Sequence, residues 1–148
     1  MKKKEWHTEE PKGMRHIAEA VLKEFIPHIN DAYVLALSGE LGSGKTCFAQ
    51  QFASLLGVRE AVTSPTFILE KRYPLTHPQF DTLIHIDAYR FEEEKDLKAL
   101  RFDELLRNPR NLIVIEWAEK IKNALPKGTL WLYFEHQGGN KRRVKTHG

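Results

Sequence analysis

The sequence lacks the features that mark secreted and membrane proteins. A single cysteine occurs among its 148 residues, so no internal disulfide can form, and a reducing cytoplasm is the expected compartment. No apolar run approaches the roughly 20 residues that a membrane-spanning helix needs. The lysine-rich N-terminus, residues 1–5, is not followed by the apolar core of a signal peptide. We therefore expect a cytoplasmic protein that has no membrane partner.

The sequence also lacks a strong net charge, internal repeats and the residue spacings that are typical of metal sites. The chain carries 23 Lys and Arg against 20 Asp and Glu, a net charge of +3, which permits an RNA or an acidic partner but requires neither. There is no internal repeat and no low-complexity segment. The seven histidines show no H-x-x-x-H spacing, which argues against a zinc site. The length predicts a single globular domain over residues 1–148.

The most informative stretch is a strand–loop–helix pattern over residues 32–57. Residues 32–37 form a short apolar run with the length of a buried strand. Residues 39–46, Gly-Glu-Leu-Gly-Ser-Gly-Lys-Thr, match the phosphate-binding pattern G-x-x-x-x-G-K-S/T. Apolar residues then recur at helical spacing up to Leu56, and Gly57 stands where a helix-ending glycine belongs. The motif thus has the strand and the helix that it requires.

The chemistry of such a loop follows from its geometry. Glycines let consecutive backbone N–H groups point at an anion, and the helix aims its positive dipole end at the same point. Lys45 should reach the β and γ phosphates of a nucleotide, and the Thr46 hydroxyl should bind Mg²⁺. Cys47 is interpreted as a small buried residue rather than a redox group. The candidate nucleotide-binding residues of the loop are Glu40, Leu41, Gly42, Ser43, Gly44, Lys45, Thr46 and Cys47.

Two further apolar runs end in an acidic residue. Residues 82–87 end in Asp87 and residues 111–116 end in Glu116. In open α/β sheets the ligand crevice lies at the carboxyl ends of the strands, so both acids should arrive near the phosphate loop. They are the candidate catalytic pair beside Lys45, and the sequence leaves open which acid holds Mg²⁺ and which orients water. Trp117, which follows directly, suits either stacking on a base or closing the core.

The remaining elements predict an α/β fold. We expect helical segments over residues 14–26, 91–107 and 118–125, and strands over residues 4–7, 67–73, 82–87, 111–116, 129–135 and 141–145. Together with the phosphate loop they predict a three-layer P-loop NTPase-like domain, with a mainly parallel sheet and antiparallel strands at its edge.

A hydroxyl-rich segment is a candidate switch loop. Pro65 forces an extended or turn geometry on Ser64, and the hydroxyls of Ser64 and Thr66 suit a loop that faces phosphate and Mg²⁺, where an order–disorder switch can sit. Hydroxyls beside a proline are also ordinary turn chemistry, so this segment alone does not define a site.

Four motifs together resemble the TsaE (YjeE) family. They are the phosphate loop, Ser-Pro-Thr-Phe at residues 64–67, His-Ile-Asp-Ala-Tyr-Arg at residues 85–90 and Ile-Glu-Trp at residues 115–117. The resemblance implies an ATPase required for threonylcarbamoyladenosine formation in tRNA. It also implies work with the TsaD–TsaB transferase complex, in which TsaD carries the transfer chemistry, so that tRNA is reached through the complex.

The same resemblance implies roles for individual residues. Lys45 and the neighbouring amides would bind phosphate, Thr46 and Glu116 would hold Mg²⁺, Asp87 would be the other essential acid and Trp117 would contact adenine.

Other segments are assigned by the resemblance in less detail. Residues 64–66 would form the switch segment, and residues 8–10 would lie against the base. Family members often carry a basic pair in the last hairpin, a role that Arg142 or Arg143 would fill.

Three other functions are compatible with a phosphate loop. A small-molecule kinase would need an arginine-rich lid. Arg101 and Arg107 lie in the helical connector over residues 91–107, but no compact lid motif is evident. A GTPase is disfavoured because no N/T-K-x-D guanine-reading segment occurs. A docking module that holds ATP with little turnover is opposed by the two acids, but only weakly. The expected function is therefore Mg²⁺-dependent ATP hydrolysis.

Overall fold

The computed structural model describes residues 3–24, 30–62, 69–92 and 94–146. The strands are β1 (Glu5–Thr8), β2 (Tyr33–Gly39), β3 (Glu70–Pro74), β4 (Thr82–Asp87), β5 (Asn111–Glu116), β6 (Leu130–His136) and β7 (Arg142–Lys145). The helices are α1 (Pro11–Lys23), α2 (Lys45–Leu55) and α3 (Phe102–Leu106), with two 3₁₀ helices at Glu94–Leu100 and Ala118–Ala124.

The strands form one sheet in the order β1-β7-β6-β2-β5-β4-β3. The four central strands, β6, β2, β5 and β4, run parallel to one another. The outer strands β3, β7 and β1 pair antiparallel. The predicted α/β fold, with a parallel centre and antiparallel edges, is confirmed.

Alternation along the central strands gives the domain three layers. In β2, Leu35 and Leu37 face the core that also contains the buried stripes of α1 and α2. Val34 and Ala36 face the opposite core, which contains the buried residues of α3 and both 3₁₀ helices. Because both faces of the sheet are covered, β2 and β5 each contain a continuous apolar run, residues 33–37 and 112–115.

Several boundaries differ from the sequence prediction. The helix expected over residues 14–26 begins at Pro11 and ends at Lys23, and its last predicted residues, 25 and 26, lie outside the described part of the chain. The connector over residues 91–107 is a 3₁₀ helix followed by the short α3, separated by Arg101 at φ 55°. The left-handed backbone at Arg101 stops a continuous helix.

Two other expectations concern the segment after β5 and membrane spans. Residues 118–124, predicted as part of a helix over residues 118–125, form 3₁₀ turns that are interrupted by the non-helical backbone of Ile121 at φ −128°. Across the described ranges, no helix combines the length and the apolar character that crossing a membrane would take.

Candidate functional site

The loop between β2 and α2 makes a tight turn that depends on glycine. Gly44 precedes α2 with φ 108°, a left-handed backbone that other residues adopt only with strain. A Cβ at Gly44 would also lie 2.8 Å from Cε of Met14. The loop closes with a hydrogen bond from Ser43 N to Glu40 O, at 3.1 Å, and α2 begins with Phe48 N donating to Gly44 O at 2.9 Å.

Lys45 is folded into this loop and is almost fully buried. Its ammonium donates to the carbonyl of Gly39 and to that of Glu40, the latter at 3.3 Å. The same Nζ lies 3.5 Å from the centroid of the Trp117 ring, a cation–π contact. Burial lowers the pKa of Lys45, against the opposing effect of nearby carboxylates, chiefly that of Glu119.

The two predicted acids stand side by side at the carboxyl end of the sheet. Asp87 of β4 pairs in register with Glu116 of β5. Both alternate along their strands with residues of the opposite core, so they lie on the face of the sheet that α2 covers. The Thr46 hydroxyl, from the first turn of α2, donates to Glu116 Oε1 at 2.7 Å. The other oxygen, Oε2, lies 2.6 Å from Nε2 of His85. Glu116 is only 2% exposed, so both of its oxygens are held in a buried site.

Asp87 shapes the chain that follows β4. Its Oδ1 accepts a hydrogen bond from Tyr89 N at 2.8 Å, which turns the backbone outward. The half-exposed Tyr89 then places its ring 5.0 Å from that of Trp117. Trp117 itself has φ 58°, an uncommon conformation for a bulky residue that marks this corner as constrained.

These elements enclose a cleft of about 910 Å³. Loop residues 40–47 line it, and so do Asp87, Glu116 and Trp117. The structure therefore brings together the residues that the sequence predicted for the phosphate loop, the acid pair and the aromatic contact. Residues 8–10, which the resemblance assigned to the base, also line the cleft.

Of the two arginines considered for the last hairpin, only Arg142 lines the cleft. Arg143 instead forms ion pairs with Glu135 and Glu5. Arg101 and Arg107, considered as lid residues of a kinase, line a separate hollow beside α3. The candidate switch loop, residues 64–66, lies outside the described residues.

Cys47 lines the cleft while packing against the core beneath α2. Burial raises the pKa of its thiol, and the positive charge of Arg142 opposes this shift. A protonated, half-buried thiol fits the interpretation of Cys47 as a packing residue.

Sequence reasoning missed four contributors to the site. One is Tyr89, which was quoted within a motif without a role and lines the cleft beside Trp117. Met14 and Asn140 line the cleft from α1 and from the turn before β7, and both depend on contacts across long sequence separations. His85 was quoted within a motif but was given no role. Its signal was available, because a residue two positions before Asp87 in a strand shares its face.

The donor set suits Mg²⁺ and a nucleotide phosphate. Thr46 and Glu116 offer two adjacent oxygens at the helix N-terminus, and Mg²⁺ is usually bound through one or two carboxylates together with substrate phosphates. The Ser43 hydroxyl in the loop is buried and has no hydrogen-bond partner among the described residues. Within those ranges no cluster of three or more His, Cys, Asp or Glu side chains could hold a metal, so phosphate oxygens and water would complete the coordination.

The fold and the cleft define an α/β protein of the P-loop NTPase-like class. A family model described as "Threonylcarbamoyl adenosine biosynthesis protein TsaE" matches residues 8–144. The chain therefore belongs to the TsaE family of threonylcarbamoyl adenosine biosynthesis proteins.

Individual relatives agree with this assignment. The chain is 33% identical over 144 residues to "tRNA threonylcarbamoyladenosine biosynthesis protein TsaE" of Bacillus subtilis, covering 97% of this chain and 85% of the relative. The protein of the same name from Treponema pallidum is 36% identical, with 78% and 82% covered. The crystal structure of YdiB from Bacillus subtilis superposes with a TM-score of 0.74 at 28% identity, covering 97% of this chain and 84% of that one.

Proposed function

We propose that this protein is a Mg²⁺-dependent ATPase that supports threonylcarbamoyladenosine modification of tRNA, acting in the cytoplasm with a TsaD–TsaB transferase complex. The observation that carries the proposal is the hydrogen bond between Thr46 and Glu116 at the mouth of the phosphate loop. It brings a helix-borne hydroxyl and a strand-end carboxylate together where the terminal phosphates of a nucleotide would lie.

The loop and Lys45 would bind the phosphates. Backbone N–H groups at the start of α2 and the buried ammonium of Lys45 supply positive charge in a largely desolvated site, where such charge acts more strongly than in water. Lys45 now contacts carbonyl oxygens and the Trp117 ring. Phosphate oxygens would compete with these weaker partners for the same ammonium.

The two acids take different roles in this proposal. Glu116 accepts a hydrogen bond from Thr46 and would hold the metal. A bound metal ion would neutralise charge on the phosphates. Asp87 lies beside Glu116 at the end of β4 and lines the cleft, and it would orient the attacking water. Under this proposal Glu116 is the metal-holding acid and Asp87 the water-orienting acid, an assignment that the sequence left open.

The aromatic corner and the opposite wall would hold the rest of the nucleotide. Trp117 and Tyr89 lie at the phosphate end of the cleft, close to Lys45. Residues 8–10 and Met14 line the wall contributed by β1 and α1. We propose that the adenine lies between these walls, with tRNA contacted through the TsaD–TsaB complex.

The experiment is modification of tRNA in a reconstituted system that contains TsaD, TsaB and a threonylcarbamoyl donor. If ATP hydrolysis resets the complex between cycles, each complex should modify many tRNA molecules in the presence of ATP. A non-hydrolysable ATP analogue should then give about one modified tRNA per complex, and Lys45→Ala should give none beyond background. Equal yields with ATP and the analogue would refute the hydrolysis step and favour a docking module. Full activity of Lys45→Ala would refute the proposal as a whole.

A further inference from the structure

A buried histidine contacts the proposed metal ligand from behind. His85 lies in β4, two residues before Asp87 and on the same face of the sheet, and is 1% exposed. Its Nε2 is 2.6 Å from Oε2 of Glu116, the oxygen that Thr46 does not use. Glu116 is thus held between two partners, one on each carboxyl oxygen.

The second ring nitrogen of His85 indicates how the contact is made. Nδ1 is buried and has no hydrogen-bond partner among the described residues. An N–H at that position would be an orphaned donor, which is costly in a desolvated site. A proton on Nε2 is instead used, because Nε2 can donate it to the carboxylate oxygen Oε2 of Glu116. The geometry therefore makes Nε2 of His85 a fixed hydrogen-bond donor to Glu116.

A glutamate needs such a donor if one of its oxygens is to stay in place. Its terminal torsion is broad and roughly two-fold, so a carboxylate held only by Thr46 could turn either oxygen toward the cleft. The donor on Oε2 restricts that rotation and leaves Oε1 beside the Thr46 hydroxyl. Hydrogen bonds behind ligating carboxylates act in this way in metal sites generally.

We infer that His85 is a positioning residue that orients Glu116 for Mg²⁺ binding. The inference rests on the proposed function, because it requires that Glu116 and Thr46 hold a metal together with ATP. It predicts that His85 affects nucleotide binding only where Mg²⁺ takes part.

Three variants separate positioning from a purely structural role. His85→Leu removes the donor while keeping an apolar side chain of moderate size. His85→Gln keeps an N–H group that can reach Glu116. Ile84→Ala perturbs the same strand at a buried position that faces the opposite core, so it matches the loss of packing without touching Glu116.

The measurement is the dissociation constant of a fluorescent ATP analogue, first with MgCl₂ and then with EDTA. His85→Leu should raise the Mg²⁺-dependent constant by about 10–100-fold, the range found when partners behind metal ligands are removed, and should leave the EDTA value nearly unchanged. The Mg²⁺ concentration at half-saturation should rise in parallel. His85→Gln should recover most of the loss, and Ile84→Ala should not discriminate between the two conditions.

Two outcomes would overturn the inference. One is an unchanged Mg²⁺-dependent constant in His85→Leu, and the other is an equal loss with MgCl₂ and with EDTA. A failure of the proposed function is distinguishable, because it would appear in the unmodified protein as ATP binding that is absent or indifferent to Mg²⁺.

Discussion

Two substitutions of Glu116 should differ in their effect on the stability of the fold and agree in their effect on ATP binding. Replacing it with glutamine should leave the fold about as stable as before, whereas replacing it with alanine should destabilise the fold. An amide can offer its oxygen to Nε2–H of His85 and its NH₂ group to the hydroxyl oxygen of Thr46, which can accept as well as donate. Alanine leaves both partners without a hydrogen bond in a buried site. Both variants should lose Mg²⁺-dependent ATP binding, because neither has a carboxylate.

The magnitude follows from the two contacts, at 2.7 and 2.6 Å. Hydrogen bonds to charged groups contribute about 1.5–3 kcal/mol each. Removing the buried charge also removes its desolvation cost, which offsets part of the loss. We expect Glu116→Ala to lose about 3 kcal/mol of unfolding free energy after this offset. For a chain of this length that corresponds to a fall in Tm of about 6–12 °C. Glu116→Gln should stay within about 1 kcal/mol of the unmodified protein.

The assay is urea denaturation without nucleotide, followed by tryptophan fluorescence, with a thermal melt alongside. Glu119→Gln is the matched control, because Glu119 is exposed on the neighbouring 3₁₀ helix and its change should be within about 0.5 kcal/mol. The reasoning is refuted if Glu116→Gln is as unstable as Glu116→Ala, or if Glu116→Ala behaves like the control.

Three further predictions concern the loop and the second acid. Burial lowers the pKa of Lys45, so in alkaline solution the folded state binds fewer protons than the unfolded state and stability rises with pH. Urea denaturation from about pH 8 to about pH 10.5 should show this rise in the unmodified protein and not in Lys45→Met. Gly44→Ala and Gly57→Ala, both at positive φ, should each lose about 1–3 kcal/mol in stability, but calorimetric titration should find weakened ATP binding only for Gly44→Ala. Asp87→Asn should bind ATP normally and release phosphate about 100-fold more slowly in a coupled assay; equal rates would remove Asp87 from the chemistry.

Local patterns were sufficient to predict the phosphate loop and the central strands. The strand before Gly39 is a continuous apolar run, and the loop has glycine where the backbone needs positive φ, as Gly44 confirms. The meeting of Asp87 and Glu116 also followed from sequence, because the carboxyl ends of parallel strands meet at one edge of the sheet.

Long-range contacts and unusual backbone angles were not predictable in the same way. The sequence could not give the register that pairs Asp87 directly with Glu116, on which the position of His85 also depends. The left-handed angle at Arg101, which divides the connector, has no marker in residue type, since glycine or asparagine is expected there. The non-helical backbone of the buried Ile121, which interrupts the 3₁₀ turns of residues 118–124, likewise has no marker in residue type.

The most direct test of the central claim is phosphate release from ATP, measured with Mg²⁺ and with EDTA, for the protein alone and with the TsaD–TsaB complex. Thr46→Val serves as the variant that removes only the proposed metal-binding hydroxyl. The account predicts slow release by the protein alone, faster release with the complex, and none in EDTA or in Thr46→Val. Tight Mg²⁺-dependent ATP binding with no release under any condition would contradict it and identify the protein as a nucleotide-dependent docking module.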